Sequence, residues 1–231
     1  MDRESYIRQI DAYYNKKLSS HALIEFGATP KLLEKYGAPA LPLVMQQSTL
    51  TKCIRKNTGS RSAHDLPRTV MERLPDQINN PIFLIQDKER YSIALISDAE
   101  DRNGNKLLIA IRLKTQRKEM EVNEVKSVYG KTNLLDYLNK HMEKGQLNIT
   151  DEKKAERLSR VIGLQLPTTL ITSNHDNNVP RQEPKVNQKS VASSKSSVIN
   201  RLEAYRRQIQ RQGADESRQN PTRHCFRDKE R

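Results

Sequence analysis

Polar and basic side chains lie in and after two predicted strands in the middle of the chain. Arg112 belongs to the apolar run over 106–113, and Ser127 and Tyr129 lie near the end of a later run over 122–129. When RNA is cut without a metal, one group takes the proton of the 2′-hydroxyl and a second protonates the leaving oxygen. Cations stabilise the negative charge on the phosphoryl oxygens. These residue types suit that chemistry, but they are also ordinary on a solvated strand face.

Three lysines could supply the cations. Lys52 and Lys56 are four residues apart, so a helix over 48–57 places them on one face, and Lys131 follows the run that contains Tyr129. The sequence therefore gives two groups of candidates. The candidate catalytic residues are Lys56, Arg112, Ser127 and Tyr129, and the candidate substrate-binding residues are Lys52 and Lys131.

Signatures of other enzyme classes are absent from the sequence. The chain has no GxxxxGKS/T, GxGxxG, GxSxG or HExxH pattern, and no Cys or His cluster of zinc-ligand spacing. We therefore expect no cofactor and no metal. His64 stands beside Asp65, and we expect it to begin a helix over 64–74 rather than to take part in chemistry.

Helical patterns occupy most of the first 74 residues. Apolar spacing predicts helices over 4–17, 19–26 and 48–57. Thr29-Pro30 predicts the start of another, which Gly37 ends. An extended segment is expected over 38–43, where prolines recur. Two later helices are predicted over 131–143 and 151–162.

Four apolar runs predict four consecutive strands, over 81–86, 91–97, 106–113 and 122–129. The turn Asp101–Asn105 contains Asn103-Gly104, which is typical of a hairpin. A fifth strand is possible over 166–172. We therefore predict an α+β fold in which N-terminal helices pack on one face of an antiparallel meander of about four strands, with further C-terminal helices.

The composition changes near residue 172. The segment after it is almost wholly polar and cannot bury enough apolar surface to fold, so we predict a domain over 1–172 and a disordered basic tail over 173–231. Apolar residues at helical spacing predict one helix within the tail, over 197–212. The net charge of the chain is +13. That charge is compatible with an anionic partner such as nucleic acid, and also with simple solubility.

The remaining composition bears on compartment. Two cysteines, Cys53 and Cys225, are far apart in the sequence, which is typical of a reducing environment. The N-terminus has no signal-peptide pattern, and no apolar run reaches the length of a membrane span. We expect a cytoplasmic protein with no membrane partner.

Several segments, in order, resemble the MuF C-terminal domain of phage head-morphogenesis-type proteins and of the large polyvalent proteins of mobile elements. The similarity covers about Leu41 to Lys144. Its most distinctive parts are the run from Leu74 through Asn80-Pro81-Ile82, the Asp101-Arg-Asn-Gly turn, and Ser127-Val-Tyr-Gly-Lys131. The matching segments are LPLVMQQSTLTKCIRKN, LPRTVMERLPDQINNPIFLI, SIALISDAEDRNGNKLLIAIRL and EVNEVKSVYGKTNLLDYLNK.

The resemblance implies a functional class. The domain is similar to nuclease-like modules grouped with barnase, EndoU, the tRNA-cleaving colicins and RelE, which implies a small sheet with helices, an RNA substrate and no metal. Members typically carry a Lys-His pair before the first strand, where this chain has Lys56-Asn57. Asparagine cannot exchange a proton near neutral pH. The departure therefore implies weak or absent activity.

Two hypotheses follow. In the first, the chain is a nuclease-like effector module that binds RNA, more readily than DNA, and cleaves it feebly. In the second, it is a non-catalytic accessory of a mobile element that binds nucleic acid or protein, for example a cognate immunity protein or another element-encoded protein. Asn57 favours the second hypothesis, and the Ser127, Tyr129 and Lys131 set favours the first. The sequence therefore leaves it uncertain whether the protein is an enzyme.

Overall fold

The structure is a computed structural model that describes residues 3–56, 63–117 and 119–167. All of these residues belong to one unit, Met1–Gln182. The predicted boundary near residue 172, the tail over 173–231 and the helix over 197–212 lie outside the described residues, as does Asn57.

The described residues form helices and strands in mixed order. The helices are α1 (Arg3–Tyr14), α2 (Lys31–Lys35), α3 (Gln47–Ile54), α4 (Arg68–Glu72), α5 (Leu74–Asn79), α6 (Leu134–Glu143) and α7 (Glu152–Ile162). The strands are β1 (Leu23–Ala28), β2 (Pro42–Gln46), β3 (Phe83–Asp87), β4 (Ser92–Glu100), β5 (Lys106–Arg117), β6 (Met120–Gly130) and β7 (Leu147–Ile149). The predicted α+β class is confirmed.

The strands form one sheet in the order β1-β2-β6-β5-β4-β3-β7. The four predicted strands are β3 to β6, and they form the predicted antiparallel meander. The turn over Asp101–Asn105 joins β4 to β5, as predicted. The described residues contribute seven strands to the sheet rather than about four, and β2 pairs with β6 in parallel, which makes the sheet mixed.

Three of the seven strands were missed or misassigned. The segment predicted as a helix over 19–26 contains the start of β1. Ile24 and Phe26 alternate with Glu25 as they would in a strand, but the Glu25 side chain is also buried, so the segment lacks the usual alternation of buried and exposed residues. Strand β2 begins within the segment 38–43, which was expected to be extended but not to join a sheet. Strand β7 has three residues and is too short to give a periodic signal. Residues 164–167 are not a strand, and the rest of the possible fifth strand lies outside the described ranges.

The helix predicted over 64–74 is wrong at both ends. Residues 63–66 are not helical, α4 begins after Pro67, and Pro75 lies in the first turn of α5 rather than ending a helix. Proline disfavours the helical conformation in the residue before it and suits the first turn of a helix. Leu66-Pro67 therefore excludes a helix that starts at His64.

Helices cover both faces of the sheet, not one as predicted. The first face packs against α1 to α5, and its core includes Ile109 of β5 and Leu95 of β4. The second face packs against α6 and α7, and its core includes Leu108 and Ile96 of the same two strands. The alternation of side chains along a strand sends successive residues to opposite faces.

Side-chain hydrogen bonds hold β1 and β2 to the rest of the sheet. The fully buried Asn123 of β6 donates through Nδ2 to Thr29 Oγ1 at 2.7 Å and to the Pro39 carbonyl at 2.9 Å. Gln9 of α1 accepts from the Glu25 backbone N–H at 2.9 Å and donates to its carbonyl at 3.3 Å. The polar edge of β1 is therefore partly satisfied by a side chain, which limits pairing with another chain.

Candidate functional site

The strand register places three of the six predicted site residues on the second face. Tyr129 lies opposite Leu108, Ser127 opposite Ala110, and Glu124 opposite Arg112. The register shifts between Ala110 and Ile111, so Lys126 is an extra residue on β6. A bulge of this kind re-aims the side chains that follow it. Here it brings Ser127 and Tyr129 to the same face as Glu124.

Successive rows across this face change in character. The Tyr129 row is apolar and is completed by Leu108, Ile96 and Phe83, which lie under the C-terminal helices. The next row, about 7 Å further along the strands, contains Ser127, Ala110 and Ala94 together with the buried Ile85. The third row is polar and contains Glu124, Arg112, Ser92 and Asp87. The face therefore passes from a packed core to a polar surface within two rows.

The charges of the polar row are partly paired. The Glu124 side chain is fully buried and accepts from Arg117 Nη2 at 2.6 Å and from Lys126 Nζ at 3.2 Å. Arg112, directly opposite Glu124, is exposed. Two other cations thus neutralise the carboxylate, and the Arg112 guanidinium is available to an anionic ligand.

His64 borders this face, although its sequence context predicts the start of a helix and not a functional residue. The segment 63–66 runs back beside the end of α3, where the His64 N–H donates to the Lys52 carbonyl at 3.1 Å and the Leu66 N–H donates to the Cys53 carbonyl at 2.9 Å. The imidazole lies against the Tyr129 ring, with 5.3 Å between centroids and 32° between planes. His64 therefore contacts α3 through its backbone and β6 through its side chain.

The surroundings of His64 keep its ring uncharged. Burial lowers the pKa of His64, and the positive charge of Lys52 lowers it further. Its Nε2 atom is covered and has no hydrogen-bond partner among the described residues. A covered polar atom without a partner destabilises a fold by about 1–3 kcal/mol, so stability alone does not explain this arrangement.

Tyr129 is the other titratable group of the pair. Burial raises the pKa of Tyr129, which keeps its phenol protonated at neutral pH. A neutral imidazole and a protonated phenol in ring contact are the forms that can accept and donate a proton. The pair therefore has the protonation states that acid–base chemistry requires.

A turn holds the His64 segment from the opposite side. Arg102, in the turn between β4 and β5, donates through Nε to the Asp65 carbonyl at 3.1 Å and forms an ion pair with the Asp65 carboxylate at 3.4 Å. The Asp65 N–H donates to the Arg55 carbonyl at 3.1 Å. Asp65 has a positive φ of 46°, a conformation that Asp tolerates better than most residues. We call Arg102 and Asp65 the clamp.

Lys131 lies beside a second aromatic pair. Its Nζ is 5.1 Å from the centroid of the Tyr137 ring, and the Tyr137 and His141 rings are 4.5 Å apart and edge to face. Burial raises the pKa of Tyr137 to about 12, and the neighbouring Tyr129 and Asp87 contribute to that rise. Tyr137 therefore connects the Lys131 cation with the Tyr129 side of the face.

The structure separates the predicted residues into two groups. Ser127, Tyr129 and Arg112 share the second face, and Lys52 and Lys131 border it through His64 and Tyr137. Lys56 is exposed, one residue past the C-cap of α3, and its neighbour Asn57 lies outside the described residues. One signal could have found His64: the Leu66-Pro67 pair leaves it in an extended segment rather than a helix.

The comparisons with known proteins bear on this site. Residues 55–157 match the Phage MuF-C-terminal domain family. This match confirms the resemblance, although it begins after Leu41 and extends beyond Lys144. The MuF C-terminal segment contains His64, the clamp and β3 to β7, whereas β1, β2 and Lys52 precede it. No curated protein and no solved structure matches the chain.

Two further properties concern the described residues. Within residues 3–56, 63–117 and 119–167, no group of three or more His, Cys, Asp or Glu side chains is placed to hold a metal ion. No helix in those ranges is both long enough and apolar enough to cross a membrane.

Proposed function

We propose that this MuF C-terminal protein is a nuclease-like module that binds RNA on the second face, in the cytoplasm. The observation that carries the proposal is the convergence of Lys52, His64 and Tyr129 from α3, the segment 63–66 and β6. Arg112 and Lys131 add exposed or half-buried cations on either side. Cations beside aromatic rings suit a single-stranded nucleic acid, whose phosphates and unstacked bases they contact.

The same residues favour RNA over DNA. The groups that can accept and donate a proton, His64 and Tyr129, are adjacent to cations that can hold a phosphate. In RNA the 2′-hydroxyl lies next to the scissile phosphate and can act as the internal nucleophile, which DNA lacks. An RNA ligand therefore brings its own attacking oxygen to these acid–base groups, which favours RNA as the ligand.

A second candidate function rests on one residue. The resemblance implies a histidine after Lys56, where this chain has Asn57, and asparagine cannot transfer a proton near neutral pH. A module without that proton transfer would bind RNA, or an element-encoded protein, without cutting it. The binding experiment below distinguishes a protein partner from RNA, and the cleavage experiment in the next subsection addresses activity.

Binding to single-stranded RNA tests the proposal. We expect affinity to fall with salt, and Lys131→Ala to reduce the slope of log K against log salt by about 0.7, the change for one lost phosphate contact on a single strand. Lys153→Ala, which removes an equally charged exposed side chain from α7, is the matched control and should leave the slope unchanged. Fluorescence anisotropy over a salt series measures both. Absence of RNA binding even at low salt would refute the proposal and favour a protein partner.

A further inference from the structure

We propose that His64 performs the proton transfer that Asn57 cannot, so that the module cleaves RNA despite the departure from the family pair. This inference rests on the proposed RNA binding. It differs from that proposal in predicting turnover, because a site that lacked the transfer would bind RNA and leave it intact.

The position of His64 carries the inference. Its ring is in contact with Tyr129 and lies beside Lys52, and the residue is half-buried, which partly excludes bulk water. The Nε2 atom is covered and has no hydrogen-bond partner among the described residues, so that nitrogen is not committed to the fold, and a ligand that bonds to it must displace the atoms that cover it.

The other histidines of the described ranges do not share this position. His21 is exposed near the start of β1, away from β6 in sequence and element. The His141 ring is engaged, with Nδ1 2.7 Å from Gln146 Oε1 and the ring edge-to-face with Tyr137. His64 is therefore the described histidine that adjoins both Lys52 and Tyr129.

The step proposed for this geometry is an internal transesterification. The His64 imidazole accepts the proton of the 2′-hydroxyl, and the 2′-oxygen forms a bond to the adjacent phosphorus. The bond from phosphorus to the 5′-oxygen breaks, and that oxygen takes a proton from the Tyr129 hydroxyl. The products are a 2′,3′-cyclic phosphate and a 5′-hydroxyl, and the proton on His64 returns to Tyr129 through water. Lys52 stabilises the charge on the phosphoryl oxygens.

The clamp gives Arg102 a positioning role in this step. His64 is held between α3 and the turn by backbone hydrogen bonds on one side and by the contact of Arg102 with Asp65 on the other. A displacement of about 1 Å at an acid–base group can reduce the rate on the order of 100-fold. The turn Asp101–Asn105 therefore does more than join two strands.

Cleavage of a single-stranded RNA by the full chain, with EDTA present, tests the proposal. We expect 2′,3′-cyclic phosphate products from RNA and none from a 2′-O-methyl RNA. We expect His64→Gln to reduce kcat on the order of 100- to 10,000-fold while the Kd for RNA changes little. Imidazole added to His64→Gly should restore part of the rate, which no purely structural role would produce. His21→Gln, which changes an exposed histidine away from the site, is the control and should retain the parent rate.

The outcomes separate this inference from the proposed function. If the parent binds RNA but does not cut it, or if His64→Gln cuts at the parent rate, the inference fails and RNA binding stands. If neither the parent nor any variant binds RNA, both fail. If Asn57→His restores cleavage to a parent that is inactive, position 57 rather than His64 carries the proton.

A second set of variants tests the clamp. Arg102→Ala should reduce kcat roughly 10- to 100-fold, and Arg102→Lys should have an intermediate kcat. The control is Arg90→Ala, which removes an exposed arginine from the β3–β4 turn and should have a kcat near that of the parent. Equal rates for Arg102→Ala and Arg90→Ala would remove Arg102 from the site while leaving the assignment of His64 intact.

Discussion

The two faces of the sheet use the same strands for different purposes. On the first face, five helices enclose an apolar core that runs along β5 from Leu107 to Leu113, with Leu107, Ile109 and Ile111 almost without solvent exposure. On the second face, the neighbouring residues of β5 change from Leu108, which is buried, through Ala110, which is half-buried, to Arg112, which is exposed. The second-face residues of β5 thus become more exposed along the strand, while the first-face residues between them stay buried.

The difference shows where the molecule can accommodate a site. A side chain on the first face is surrounded by close-packed neighbours, so a change in its volume is transmitted to the core. On the second face, Ser127, Ala110 and Arg112 are at least partly exposed, and the strands that carry them are fixed from behind by the first-face core. The strands that carry the candidate site are therefore held in place by the first-face core and not by the residues of the site.

The largest expected effect comes from a matched pair on β5. Ile109→Ala removes a fully buried side chain and should lower the free energy of unfolding by about 2–5 kcal/mol. Arg112→Ala, three residues later on the opposite face, should change it by less than about 0.5 kcal/mol. Urea unfolding followed by circular dichroism measures both. Equal losses would show that the second face carries as much of the stability as the first.

A smaller effect is expected where the turn meets the end of β6. A Cβ atom at Gly130 would lie 2.8 Å from the Asp101 Cβ and closer still to its carboxylate. That carboxylate is fixed by hydrogen bonds from the Asn103 and Asn105 backbone N–H groups, at 2.8 and 2.9 Å. Gly130→Ala should therefore destabilise the protein by about 1–3 kcal/mol, as overpacking does.

Gly104→Ala is the matched control for that substitution. Gly104 has a φ of 78° and open space around it, so alanine there adds conformational strain of about 1 kcal/mol but no clash. Thermal unfolding of both variants measures the difference. A smaller loss for Gly130→Ala than for Gly104→Ala would show that Asp101 moves freely and does not couple the turn to β6.

The smallest effect concerns pH. In the folded state the pKa of His64 is below its ordinary value of about 6.5, because the ring is buried and because Lys52 is positively charged. The other groups around the ring are Tyr129 and the Arg102–Asp65 ion pair. The unfolded chain then binds the proton more readily, so the contribution of neutral His64 is present above about pH 6.5 and is lost as pH falls below it. His64→Gln should flatten that part of the stability curve. An NMR titration that gave His64 a pKa above 6.5 would contradict the sign.

The sequence predicted the elements with strong periodicity and missed those defined by contacts distant in the chain. Strands β3 to β6 and helices α6 and α7 follow from apolar runs and local turns. Strand β1 does not, because its buried Glu25 breaks the alternation, and the pairing of β2 with β6 joins segments that are far apart in the sequence. No local pattern encodes such a pairing.

The candidate site shows the same limit. The register that places Ser127 and Tyr129 on one face depends on the bulge at Lys126, which leaves no mark in a simple alternating pattern. Lys131 was found from the motif, but its contact with Tyr137 was not. The residues around His64 suggest a helix, although Leu66-Pro67 argues against one. Its neighbours Lys52 and Tyr129 belong to elements on either side of it in the chain.

The parallel pairing of β2 with β6 also determines which fragment of the protein can fold. The family match begins at residue 55, after β2 and α3 have ended, so a protein cut to residues 55–157 would lose the strand that pairs with Asn123–Val125. It would also lose Ile24, Met45 and Leu50 from the core and the oxygen of Thr29 that Asn123 contacts. The open edge of β6 would then be a template for self-association. The segment that matches the family is thus shorter than the sheet to which it contributes, since β1 and β2 of that sheet precede residue 55.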